Sequence, residues 1–127
     1  MRARCIVSRM GKGHGLWLLD AARGLTEETL RIVDRLPAHD PSGTRQQLAT
    51  SVHSVSANIA EGSGRGSTRE RLQFLRIARG SLEETQNSLR ICVNLGLLEK
   101  PTFYRLWNRS IVVGRMLSAL MARLERE

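Results

Sequence analysis

Residues 58–70 read Asn58-Ile59-Ala60-Glu61-Gly62-Ser63-Gly64-Arg65-Gly66-Ser67-Thr68-Arg69-Glu70, and the fold turns on them. Gly62 suits the left-handed residue that closes a helix. Gly62 to Gly66 then reads as a tight turn. Ser67-Thr68-Arg69-Glu70 is a capping box, in which a hydroxyl and a carboxylate satisfy the free N–H groups of a helix start. A helix therefore ends and another begins within about eight residues, which predicts antiparallel neighbours.

Upstream of the turn, a helix is predicted from Thr44-Arg45-Gln46-Gln47, a second capping-box pattern. Leu48, Val52, Val55 and Ile59 recur at three and four and form its apolar stripe. Its other positions are small: Ala49, Ser51, Ser54, Ser56, Ala57 and Ala60. Downstream, the next helix runs to about Leu95, with Gly96 as its stop and Leu97 following. Its apolar arc is Leu72, Leu75, Ala78, Leu82, Thr85, Leu89 and Val93.

The same period appears at both ends of the chain. Leu18, Ala22, Leu25, Thr29, Ile32, Val33 and Leu36 share one face of a helix predicted over residues 16–36, which Pro37 ends. Pro101, favoured in a first turn, opens a last helix that runs to about Leu124. Its stripe is Phe103, Leu106, Val113, Leu117, Leu120 and Leu124. Strand alternation is absent. These readings predict an all-α, antiparallel up-down four-helix bundle over residues 16–127, preceded by a basic arm over residues 1–15.

Two helices carry more apolar surface than a lone bundle needs. Phe74, Ile77, Ser81 and Ile91 lie beside the main arc of the third helix. Trp107, Ile111, Gly114 and Met121 do so on the fourth. Such doubled stripes predict a buried subunit interface in a homo-oligomer. A generous monomeric core is the competing reading.

The chain has 127 residues, enough for one domain, and a formal net charge of +8. Lysine contributes two of the twenty basic residues and arginine the rest. Arginine pairs bidentately with carboxylate and phosphate, so an anionic partner follows, although arginine usage also tracks genome base composition. Residues 64–127 hold twelve basic residues against six acidic ones. On a helical wheel, Arg69, Arg76, Arg79 and Arg90 fall within about 80° of one another, and Arg65 precedes them at the turn. These five are the candidate phosphate-binding residues. A solvated face with internal pairs, Arg79–Glu83 among them, is the alternative. Few aromatics lie among them, so backbone-directed contact to RNA or single-stranded DNA is expected rather than base readout.

Catalytic chemistry finds no support in the spacing. His14, His39 and His53 are scattered, and His53 reads as a half-buried structural residue. No pattern of metal-ligand spacing occurs, so no metal or cofactor is expected. Three Asp, all within the first 40 residues, are too few and too remote for a nuclease cluster. Cys92 falls on the core arc and is expected to be buried. Gly11-Lys12-Gly13-His14-Gly15 lacks the strand and the Lys-Ser/Thr ending of a phosphate loop. No apolar run reaches the length of a membrane span and no secretion signal opens the chain, so a cytoplasmic location is expected.

The blocks Asn58-Ile59-Ala60-Glu61-Gly62, Gly64-Arg65 and Phe74-Leu75-x-Ile77-Ala78-Arg79-Gly80-Ser81-Leu82-x-Glu84, with Leu95-Gly96-Leu97 after the third helix, closely resemble the family of ribosomal-RNA intervening-sequence proteins. That family also looks related to the accessory variability protein of diversity-generating retroelements. The resemblance covers roughly Leu16 to Leu124. It implies a four-helix subunit assembled as a homopentamer. For the retroelement relatives it implies binding of a reverse transcriptase and its template RNA without catalysis. A protein-only scaffold or adaptor is the alternative role. Asn58, Glu61, Gly62, Gly80, Ser81 and Glu84 read as structural positions of these motifs. Gly80, in mid-helix, is expected to pack closely on Ala57 and Ala60, with Asn58 and Glu61 serving backbone groups or Arg79 at that crossing.

Overall fold

The structure, a computed structural model, describes residues 14–127. They form α1 (His14–Val33), α2 (Thr44–Ser63), α3 (Thr68–Asn94) and α4 (Lys100–Glu125). The basic arm and its glycine-rich segment lie outside the described residues, except that α1 begins at His14.

Side-chain contacts fix the register. Arg45 Nε donates to the carbonyl of Val33, and Thr26 Oγ1 to that of Val52, so α1 and α2 run in opposite directions. The pairs Ser54–Ser81 and Gln47–Glu84 show the same for α2 and α3. Gln86–Ser110 and Arg76–Glu125 show it for α3 and α4. Helix α1 also packs on α4, while the diagonal pairs stay apart. The result is the antiparallel up-down bundle.

The predicted stripes fill its interior. Leu18, Leu25, Leu48, Ile59, Leu75, Leu89, Leu106, Leu117, Leu120 and Leu124 are all fully buried. Each contributes about 1.5–3 kcal/mol through lost water contact. The core nevertheless falls into two apolar clusters. One joins Leu18, Leu25, Val52, Ile59, Leu75, Leu82, Val113 and Leu117. The other joins Ile32, Val33, Leu48, Leu89, Cys92, Leu98, Phe103 and Leu106. Between them every helix inserts a buried hydroxyl: Thr29, Ser51, Thr85 with Ser88, and Ser110. Thr85 bonds Ser51 across α2–α3 at 3.0 Å and its own helix at the Ser81 carbonyl at 2.8 Å. Ser110 accepts from Gln86 and donates to the Trp107 carbonyl.

Helix ends follow the expected chemistry in part. Ser67 Oγ accepts from the Glu70 N–H at 3.1 Å, as the capping box predicts. Gly96 is left-handed, with φ 76°, and Gly96 N–H and Leu97 N–H reach back to the Val93 and Cys92 carbonyls, closing α3 in a Schellman turn. The start of α2 differs from expectation. Thr44 is the first helical residue, preceded by left-handed Gly43, and the free N–H groups are met from the loop. Asp40 Oδ2 accepts from Arg45 N–H at 2.6 Å and Ser42 Oγ from Thr44 N–H at 3.2 Å. The Ser42 hydroxyl and the Arg45 N–H hold the Asp40 carboxyl below its ordinary range. The cap is therefore present at neutral pH and fades as pH falls through that lowered value.

Gly62 does not close α2. It is helical and buried, and the helix continues to Ser63. A Cβ at Gly62 would lie 3.0 Å from Phe74 Cβ and 3.3 Å from the Arg71 carbonyl. Close helix approach therefore occurs here. The expected crossing of Gly80 on Ala57 and Ala60 is corrected: a Cβ at Gly80 would meet nothing within 4 Å. His53 is exposed rather than half-buried, because it projects from α2 opposite Leu48 and Val52. The second stripe of α3 splits. Ser81 turns to Ser54, whereas Ile77 and Ile91 face outward. On α4, Met121 is buried, and Trp107, Ile111 and Gly114 are half-buried.

Cys92 is buried as expected, and burial, helped by the Asp40 carboxylate, pushes its thiol up to about 11. Since the thiolate is the nucleophile, Cys92 in a Cys5→Ser variant is expected to resist a disulfide reagent at pH 8 until denaturant is added. The raised value also gives a sign. The unfolded thiol ionises first, so stability falls as pH rises from about 9 toward about 11. Rapid labelling of the native variant at pH 8 would contradict the burial.

Candidate functional site

The five candidate arginines do not form one stripe. Helix α3 is flanked by α2 on one side and α4 on the other, and small differences in wheel angle decide which neighbour a side chain meets.

Arg65 sits on the α2 side. Its guanidinium pairs with Glu61 at 2.5 Å and lies 4.7 Å above the Phe74 ring. Its carbonyl accepts from Arg71 Nε at 3.0 Å. These contacts brace the turn and commit Arg65 to structure. Arg69 is exposed on the outer face of α3, and Arg76 lies 3.8 Å from Glu125 at the far end of α4. Arg79 and Arg90 lean toward α4. Arg90 covers the Trp107 ring at 4.4 Å, and the other face of Trp107 stacks on Phe103. Among the described residues, Arg69, Arg79, Arg90 and Arg115 make no ion pair, so the alternative Arg79–Glu83 pair does not form.

Arg115, on α4, escapes any wheel drawn for a single helix, yet it shares a cleft with Arg79 between the two helices. The cleft measures about 470 Å³, and Leu82, Ile111 and Gly114 supply its apolar wall. Gln86 and Ser118 also line it. The α3–α4 seam thus carries Arg76, Arg79, Arg90 and Arg115, a basic groove around a recessed apolar patch. Guanidinium groups without carboxylate partners remain available to phosphate.

The other motif residues hold the bundle. Asn58 Nδ2 donates to the Ser54 carbonyl and hydroxyl within α2. Ser54 and Ser81 bond each other at 2.8 Å. Glu84 accepts from Gln47 at 3.0 Å. Glu61 serves Arg65 and not Arg79. One structural residue lacked any signal in a single helix: Glu28, largely buried, pairs with Arg105 and, at 2.8 Å, with Arg109, and so ties α1 to α4. Among the described residues, no group of His, Cys, Asp and Glu gathers in a way that could hold a metal ion.

The chain matches the sequence model of the 23S rRNA-intervening sequence proteins over residues 16–119. It belongs to that family. The fold of this intervening-sequence protein is similar to a crystal structure from Bacteroides thetaiotaomicron, a protein of unknown function from the S23 ribosomal protein family. The TM-score is 0.76 and the identity 17%, covering 82% of this chain and 97% of that one. The likeness establishes the four-helix fold. No curated protein matches the intervening-sequence protein.

Proposed function

We propose that this intervening-sequence protein is a non-enzymatic, homo-oligomeric nucleic-acid-binding protein of the cytoplasm. It acts as an accessory to a reverse transcriptase of the diversity-generating retroelement type and holds RNA or the RNA–cDNA hybrid by its phosphate backbone. The observation that carries this reading is the α3–α4 seam, where Arg79, Arg90 and Arg115 have no carboxylate partner in a half-chain with twelve basic and six acidic residues. The interface departs from the sequence-based set by losing Arg65 to Glu61 and gaining Arg115. Arg69 extends it at the outer edge.

Self-association is supported by Ile77 and Ile91, exposed on the outer face of α3 with open Gly80 between them. The family resemblance favours a pentamer, and a ring would multiply the basic seam around its circumference. Ile77→Glu combined with Ile91→Glu should lower the mass seen in sedimentation equilibrium without loss of helix. An unchanged mass would remove this face from the interface. No helix of the described residues is long and apolar enough to cross a membrane.

The direct test is titration with single-stranded RNA at two salt concentrations. Removing Arg79 and Arg115 together should weaken binding and shrink the log–log salt slope by about 2, one unit for each lost phosphate contact. No binding of the unaltered protein at about 50 mM salt would sink the reading and leave the protein-only scaffold. Metal-dependent cleavage of the RNA would overturn the non-enzymatic part.

A further inference from the structure

The cleft between α3 and α4 has features that backbone binding does not require. A phosphate needs donors, and Arg79 and Arg115 supply them. It does not need an apolar wall of Leu82, Ile111 and Gly114 between those donors, nor about 470 Å³ of space. That volume lies within the range of pockets that hold small molecules. Gly114 keeps it open: a Cβ there would already stand 3.4 Å from Leu82 Cδ2, and a longer side chain would fill the recess. Glycine in mid-helix costs about 1 kcal/mol relative to alanine, so its presence calls for a reason at this position.

We propose that this cleft takes one unpaired ribonucleotide of the bound strand, with the phosphate between Arg79 and Arg115 and the base laid on Leu82, Ile111 and Gly114. The inference rests on the nucleic-acid reading above and gives it a pocket. The ligand must combine an anionic group with a flat apolar body, which describes a nucleoside monophosphate unit. A duplex cannot supply it, because its bases are stacked and only phosphate and sugar reach the surface, whereas single-stranded RNA splays its bases out. The remaining polar groups suit this ligand. Gln86 spends its N–H on Ser110, so its amide oxygen remains an acceptor for a base N–H. Ser118 offers a hydroxyl to the phosphate. Glu83, also on the lining, accepts from a ribose 2′-hydroxyl and repels a second phosphate. The cleft is thus matched to a monophosphate and poorly matched to a di- or triphosphate.

The experiment uses the full chain with methyl-labelled leucine and isoleucine. Adenosine monophosphate should move the Leu82 and Ile111 resonances. Ribose 5-phosphate, inorganic phosphate and adenosine triphosphate should do so about tenfold more weakly. Gly114→Leu, which fills the recess and favours the helix, should weaken the monophosphate about tenfold while circular dichroism stays unchanged. It should likewise weaken single-stranded RNA and leave any duplex binding unaffected. Inorganic phosphate binding as well as the nucleotide would reduce the cleft to an anion site and overturn the proposal. So would methyl resonances unmoved by the monophosphate at about 10 mM. RNA binding that depends on Arg79 and Arg115 but ignores Gly114→Leu would overturn the pocket and leave the backbone reading standing. Failure of RNA to bind at all would sink that reading itself.

Discussion

Gly62→Val is expected to destabilise the protein by about 2–3 kcal/mol, the upper part of the range for overpacking a filled interior. The Cβ alone would approach Phe74 Cβ to 3.0 Å and the Arg71 carbonyl to 3.3 Å. Neither neighbour is the free end of a flexible chain. Relief therefore requires α2 and α3 to separate near their shared turn. That separation would also pull Phe74 from beneath Arg65 and loosen the Arg65–Glu61 pair. The second glycine of the motif should behave oppositely. Gly80→Ala adds a methyl group to open space and gains helix propensity, so it should raise stability by up to about 1 kcal/mol. Urea unfolding followed by helical circular dichroism, at fixed protein concentration because assembly would add to stability, compares the two. Equal losses from both variants would mean that the close approach of α2 and α3 lies nearer Gly80 than the structure places it.

These two glycines show where sequence reading succeeds and where it stops. The apolar stripes from Leu18 to Leu124 were legible because a period of 3.6 puts Leu48, Val52, Val55 and Ile59 on one face whatever surrounds it. The bundle followed from short connections and from stops such as Pro37 and Gly96. A wheel gives the angle of a residue on its own helix, however, and not the neighbour it meets. Gly62 and Gly80 are alike in sequence, and only the placement of Phe74 distinguishes them. The candidate arginines failed in the same way. Arg65 and Arg79 were grouped by proximity in sequence, yet one faces α2 and the other α4. Arg115 joins Arg79 only across the seam. The cap of α2 was misassigned because Asp40 reaches Arg45 over a loop, a contact that no fixed spacing announces.

The layer of buried hydroxyls between the two apolar clusters yields the second large effect. Thr85→Val keeps the shape of the side chain but removes the oxygen that Ser51 meets at 3.0 Å. Ser51 is then left with a 3.3 Å contact to its own helix at the Leu48 carbonyl, in a site closed to water. A loss of about 1–3 kcal/mol follows from stranding a buried polar group. Ser51→Ala combined with Thr85→Val removes both partners, so the double variant should lose less than the sum of the single ones. The coupling should be about 1 kcal/mol or more. Thr29 tests the same layer with the opposite sign. Its hydroxyl is fully buried and has no partner among the described residues, so Thr29→Val should leave stability unchanged or raise it by about 1 kcal/mol. A strict sum for Ser51 and Thr85, or a clear loss at Thr29, would mean that the layer is not the dry, half-satisfied seam seen here. In its place would stand bonds from Thr29 that tie α1 to its neighbours.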